Sequence, residues 1–248
     1  AVAGEQIDPV EVALVAQKAE RVYAGVNCGI MDQYASACGK KDNAILLDCK
    51  TLAREYVPIL LGDYTLIVAN CNKPHNLVES KYNERRAETE RALELLQTKA
   101  EISCLADLTP DVFERIADTL SWEGKVRDRA SHVVYECDRV RRAASAMKRG
   151  DVQTLGELLN ASHASLRDLY EVTGIELDTL AGAAQAHPAC AGSRMTGAGF
   201  GGCTVSVVLK SGVEDFKQTV SRLYTEKIGY APSFYDCTVE DGIIVTKL

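Results

Sequence analysis

The run Gly25-Val26-Asn27-Cys28-Gly29-Ile30-Met31-Asp32-Gln33 places a carboxylate directly after a glycine-bearing turn. Helical patterning on both sides predicts a helix ending at Gly25 and a second one from about Gly29 to Gly39. Asp32 then falls in the first turn of the second helix. There the helix dipole and unsatisfied backbone N–H groups favour the ionised form. A carboxylate held this way, beside the apolar pair Ile30 and Met31, can serve as a general base. A first-turn acid that merely helps cap the helix explains the same residue, and physics alone leans towards that reading.

A second segment is Arg194-Met195-Thr196-Gly197-Ala198-Gly199-Phe200-Gly201-Gly202-Cys203. Gly197, Gly199 and Gly202 formally match G-x-G-x-x-G. A dinucleotide site needs a strand before that pattern and a helix after it. Here a strand follows, so a Rossmann site is not expected. Four glycines in six residues exceed what a simple turn requires and suit a loop whose backbone approaches a ligand closely. In Glu79-Ser80-Lys81-Tyr82-Asn83-Glu84-Arg85-Arg86, Tyr82 could hydrogen-bond a polyol, although a half-buried amphipathic tyrosine is the simpler reading. His75, His132, His163 and His187 lack metal-ligand spacing and read as structural or exposed.

These residues need elements to position them. Asp8-Pro9-Val10-Glu11 is a helix start, with Asp8 as cap and Pro9 at the first helical position. The helix runs to about Ala24. Strands are expected at Ala44–Asp48 and Tyr64–Ala69. Helices are expected at Glu79–Thr98, Pro110–Thr119, Val126–Lys148, Val152–Asp168 and Ile175–Ala186. After the glycine loop come a strand at Cys203–Leu209, a helix at Val213–Ile228 and closing strands at Ser233–Val239 and Gly242–Thr246. The fold class is α+β, with strands segregated around a helical middle.

The 248 residues, 46% hydrophobic, suffice for one large core or two small ones. A net charge of −7 disfavours nucleic-acid binding through a basic face. No run approaches the ~20 apolar residues needed to cross a bilayer. The nine cysteines form no C-x-x-C pair and read as reduced, mostly buried thiols of a cytosolic protein.

Taken in order, the Gly25–Gln33 string, the Glu79–Arg86 stretch, Ser162-His163-Ala164-Ser165-Leu166-Arg167-Asp168 and Arg194–Cys203 resemble segments of the galactokinases, within the GHMP small-molecule kinase superfamily. The resemblance spans nearly the whole chain. It implies a GHMP-kinase-like fold: residues 1–60 as a remnant of the N-terminal catalytic and nucleotide domain, then residues 61–248 as a helix-rich, ferredoxin-like C-terminal domain with an antiparallel sheet. It assigns Asp32 as the base for the sugar's anomeric hydroxyl and Glu20 as a ligand that helps hold Mg²⁺. Tyr82 and the Gly29 backbone become galactose contacts. Gly197, Gly199, Gly201 and Gly202 become an active-site loop.

The family's first motif supplies an arginine and acidic sugar ligands. Its second is a glycine- and serine-rich loop that cradles the ATP phosphates. Neither has a counterpart in these residues. The chain is therefore expected to be the C-terminal two-thirds of a cytoplasmic kinase that phosphorylates galactose at C1 with Mg²⁺ and ATP. By itself it is expected to be inactive, to leave apolar surface uncovered in residues 1 to about 60, and to associate with its own missing N-terminal piece. A kinase for N-acetylgalactosamine or arabinose, and a non-catalytic sugar sensor that regulates transcription, carry similar motifs.

Overall fold

The computed structural model describes residues 8–25, 27–73 and 78–243. His75, the side chains of Glu79 and Ser80, and the 244–246 part of the expected last strand lie outside the described residues. The chain divides into two compact units. One takes in the residues up to Ile59 together with those from Thr238 onward; the other is Leu60–Cys237.

In the first unit, α1 (Pro9–Ala19) starts where the sequence predicts, with the Asp8 carboxylate accepting the Val10 N–H at 3.0 Å. The helix then widens into a π-helical turn, Glu20–Ala24, and Gly25 ends it in the left-handed region at φ 72°. Helix α2 (Met31–Cys38) and the hairpin β1 (Asn43–Leu47) and β2 (Arg54–Pro58) complete the unit. Ala13, Ile30, Tyr34, Ala37 and Cys38 form its core, and Tyr56 donates to the Cys38 carbonyl at 2.7 Å. Val15, Val22, Tyr23 and Met31 are exposed.

In the second unit, β3 (Tyr64–Asn70) leads into the helices α3 (Val78–Gln97), α4 (Pro110–Ala117), α5 (Val126–Arg149), α6 (Val152–Ser165) and α7 (Gly174–Gln185). Strands β4 (Cys190–Thr196) and β5 (Cys203–Leu209), helix α8 (Val213–Ile228) and strand β6 (Ser233–Cys237) follow. The antiparallel sheet has the order β4-β5-β3-β6. That is the ferredoxin-like arrangement, with a long helical insertion between its first two strands. Successive strand residues point to opposite faces. Ile67, Ala69 and Val208 join a cluster with Leu177, Leu180, Phe216, Val220 and Tyr224. Val207 meets Ala146 and Leu155, with Leu66 packed alongside. Burying both faces makes the sheet the rigid base of the loops that leave it.

Two strands depart from the sequence expectation. Strand β2 was not anticipated because it is short, largely exposed and ends in Pro58. Strand β4 contains Gly192, Ser193 and Arg194, which interrupt the apolar alternation that marks a strand. Tertiary partners fix it instead. Asn160 accepts the Ser193 N–H at 2.9 Å, and Gln185 donates to the Ser193 carbonyl at 2.8 Å. Residues 242 and 243 form no strand.

Candidate functional site

The Gly25–Gln33 turn is held by one carbonyl. Cys28 O accepts from Arg21 Nε at 3.0 Å, from Arg21 Nη2 at 2.7 Å and from Gln17 Nε2 at 3.3 Å, so side chains at the end of α1 pin the connection into α2. Asp32 lies in the first turn of α2 and is exposed. Ile30, at the cap position, offers no side-chain acceptor, so the first-turn N–H groups are not consumed by a capping side chain. Glu20 also stands exposed, and its Oε1 accepts from Gln33 Nε2 at 2.6 Å. The π-helical turn thus brings Glu20 back to the residue beside Asp32, across thirteen positions of sequence. Gly29 is exposed, with open space where a Cβ would be. Packing does not demand glycine there. What it leaves is an accessible backbone. Arg21 and Gln33, which organise this turn, escaped the sequence reading because neither is chemically distinctive alone. Burial and the nearby Glu20 raise the Cys28 thiol pKa, which keeps it protonated.

The second unit positions the other predicted residues. The loop between β4 and β5 carries four glycines with positive φ: Gly197 (85°), Gly199 (86°), Gly201 (145°) and Gly202 (87°). Phe200 adopts φ 60° among them, a strained conformation for an aromatic residue. At Gly199 the requirement is also steric, since a Cβ would lie 2.2 Å from the Val172 carbonyl oxygen. That same oxygen accepts the Phe200 N–H at 2.6 Å. The far end of the loop is tied by the Cys71 N–H donating to Gly202 O at 2.9 Å. Lys81 Nζ stands 5.3 Å from the centre of the Phe200 ring. Tyr82, half-buried on the same first turns of α3, neighbours Tyr170, whose hydroxyl pKa is raised by burial and then by Tyr82. The start of α3, residues 170–172 and the glycine loop therefore pack as one contiguous cluster. Val172 and Lys81 are its members that the sequence did not reveal.

His132, His163 and His187 are all buried. His132 bonds Ser165 Oγ through Nδ1 at 2.9 Å and stacks on Tyr170 with ring centres 4.5 Å apart. Burial lowers its pKa to about 4, despite the opposing charge of Glu136. A histidine in the unfolded chain takes up its proton near pH 6.5, at about its reference pKa. Between that pH and about 4 the unfolded state binds more protons than the folded one. The stability due to neutral His132 is thus fully present above pH 6.5. It is lost as pH falls towards 4, by up to about 3 kcal/mol. Urea titrations at several pH values should show this slope, and His132→Gln should flatten it. An unchanged slope in the variant would refute the assignment.

Among the described residues, no cluster of three histidine, cysteine or acidic side chains could cage a metal, and no helix is long and apolar enough to cross a membrane. The family models "GHMP kinases N terminal domain" and "GHMP kinases C terminal" match residues 1–40 and 143–225. The chain is 50% identical over 236 residues to a galactokinase of Clostridium acetobutylicum, covering 95% of this chain and 60% of that protein. It is 48% identical over 236 residues to a galactokinase of Limosilactobacillus reuteri, with 95% and 60% covered. The crystal structure of Lactococcus lactis galactokinase complexed with galactose superimposes with a TM-score of 0.93 at 45% identity, over 97% of this chain and 62% of that one. Mevalonate kinase of L. major shares the fold alone, with a TM-score of 0.58 at 19% identity over 95% and 60%. The chain thus spans about 60% of the length of the relatives it matches. The two family models, matched in chain order, and relatives at about half identity identify the chain as a member of the GHMP kinases, among whose galactokinases these relatives fall.

Proposed function

We propose that this chain is the part of a galactokinase that carries the catalytic base, and that the complete protein transfers the γ-phosphoryl group of ATP to the C1 hydroxyl of galactose. The observation that carries this reading is the similarity to galactokinases over 95% of the chain. The exposed Asp32 and Glu20, and the half-buried Tyr82 beside the glycine loop, give it chemical content. Asp32 accepts the C1 hydroxyl proton as the sugar oxygen bonds to phosphorus and the bond to ADP breaks. Positioning and charge stabilisation dominate such transfers. Tyr82 and the Gly29 backbone orient the sugar. The glycine loop brings backbone close to the reactants.

Mg²⁺ usually keeps several waters and binds through one or two carboxylates plus substrate phosphates. Glu20, an exposed carboxylate that belongs to no cage of ligating side chains among the described residues, fits that mode as a ligand, and the ion would neutralise phosphate charge. Residues 1–60 are read as belonging to the catalytic and nucleotide domain, and 61–248 as the C-terminal domain. Nine free cysteines suit a reducing, cytoplasmic setting.

The test supplies galactose, N-acetylgalactosamine and arabinose, each with Mg²⁺ and ATP, to a protein in which the chain is completed to the length of its relatives. Galactose 1-phosphate is the expected main product, and the 248-residue chain alone should release no ADP. Preference for another sugar would reassign the substrate. Sugar and nucleotide binding without turnover would make the protein a sensor.

A further inference from the structure

The glycine loop is made of residues with little conformational preference of their own, so something outside it must set its position. Its anchor is Val172, through the Phe200 N–H and the close approach of Gly199. Val172 follows a π-helical turn, Leu166–Tyr170, and a non-glycine residue in the left-handed region, Glu171 at φ 54°. Such turns recur at functional sites, and such a conformation persists where its surroundings over-determine it.

Two arginines supply that constraint. Arg129 on α5 is 1% exposed. Its Nε donates to Glu88 Oε2 at 2.8 Å, its Nη2 to Glu171 Oε2 at 2.8 Å and its Nη1 to the Leu169 carbonyl. Arg85 on α3 donates from Nε to the Tyr170 carbonyl at 2.7 Å, from Nη2 to the Glu171 carbonyl at 3.4 Å and from Nη1 to Glu88 Oε2 at 3.0 Å. Three consecutive carbonyls, 169 to 171, and the Glu171 carboxylate are thus held by two guanidinium groups that share Glu88. Burial disfavours the Arg129 charge, but its bonds to Glu171 and Glu88 prevail and raise its pKa. The planar fork of arginine can reach three acceptors in fixed directions, which a lysine ammonium on a flexible stem cannot reproduce.

We propose that Arg129, with Arg85 beside it, is a positioning residue for the glycine loop, acting through Glu171 and Val172. The inference rests on reading that loop as part of the active site. It also explains why Arg85 lies one helical turn from Tyr82: the helix bearing the sugar contact and the loop are braced to the same three residues.

A buried ion pair that only stabilises the domain would protect all of it equally. Amide hydrogen exchange separates the two roles, measured on the 248-residue chain as wild type, Arg129→Met, Arg129→Lys and Glu171→Gln. The Phe200 amide is expected to exchange about tenfold faster in Arg129→Met and Glu171→Gln, as local opening loses a charge-assisted hydrogen bond, with Arg129→Lys intermediate. The amides of Ile67 and Val207 in the sheet should keep their wild-type protection. Glu171→Gln preserves shape and carries the test if Arg129→Met does not fold. Unchanged Phe200 exchange in Glu171→Gln, or acceleration of Phe200, Ile67 and Val207 by one common factor, would overturn the proposal. A loosened loop in a completed protein that phosphorylates no sugar would leave the brace standing and remove the functional reading.

Discussion

Asp32→Asn, in the protein completed to the length of its relatives, is expected to lower kcat by about 10²–10⁴-fold, the usual contribution of a positioned general base. The amide keeps the size of the carboxylate and can still accept a hydrogen bond from a sugar hydroxyl, but it cannot take the proton. The KM for galactose should therefore change far less than kcat, the signature of an interaction made mainly in the transition state. Asp32 is exposed. The variant should then match wild-type stability within about 0.5 kcal/mol, as surface substitutions generally do. Steady-state kinetics beside a thermal melt decide the matter. A variant with near wild-type turnover, or one whose activity falls only as its fold does, would return Asp32 to the role of a capping acid. Glu20→Gln is a useful companion. Its amide oxygen can still receive the Gln33 donor, so the turn should persist while the charge is lost.

How much of this was legible beforehand depends on what each feature is made of. Helix α8 at Val213–Ile228 and strand β5 at Cys203–Leu209 fall where the sequence predicts because their periodicity is written in apolar side chains. The start of α1 is equally local, an aspartate followed by proline. Strand β4 is not local. Its conformation depends on Asn160, Gln185 and the β5 ladder, none of which its own composition announces. The two π-helical turns leave no periodic trace, yet one brings Glu20 to Gln33 and the other sets Val172 under the glycine loop. Tyr82 admits a simpler reading as a half-buried tyrosine, and Glu20 stands out only through the resemblance. Arg129 shows the limit most clearly. In a helix rich in arginine nothing sets it apart, and only the fold reveals it as fully buried.

The largest effect on stability is expected at Gly156, where local propensity and packing make opposite forecasts. Alanine in a helix interior is ordinarily better than glycine by about 0.5–1 kcal/mol. At Gly156 on α6, however, a Cβ would sit 2.0 Å from the carbonyl oxygen of Ala191 and 2.4 Å from its carbon. Both are backbone atoms of β4, at the point where its register with β5 shifts between Cys190 and Gly192, and backbone atoms cannot rotate away as a side chain would. The contact is reciprocal, since a Cβ on Gly192 would lie 2.2 Å from Gly156 O. Gly156→Ala must therefore push helix from strand, at a cost of about 1–3 kcal/mol or more that overrides the propensity gain. For a chain of this size that corresponds to a fall in Tm of roughly 2–4 °C per kcal/mol. Gly182 on α7 provides the contrast, being exposed with nothing within 4 Å of its Cβ position. Gly182→Ala should be neutral or mildly stabilising. If thermal melts rank the two variants the other way, the close approach of α6 to β4 is not what holds this region. If they rank as expected, the loop should feel the change too. Strand β4 ends at Thr196 and hands the chain directly to Gly197, so a helix that displaces the strand also displaces the first glycine of the loop.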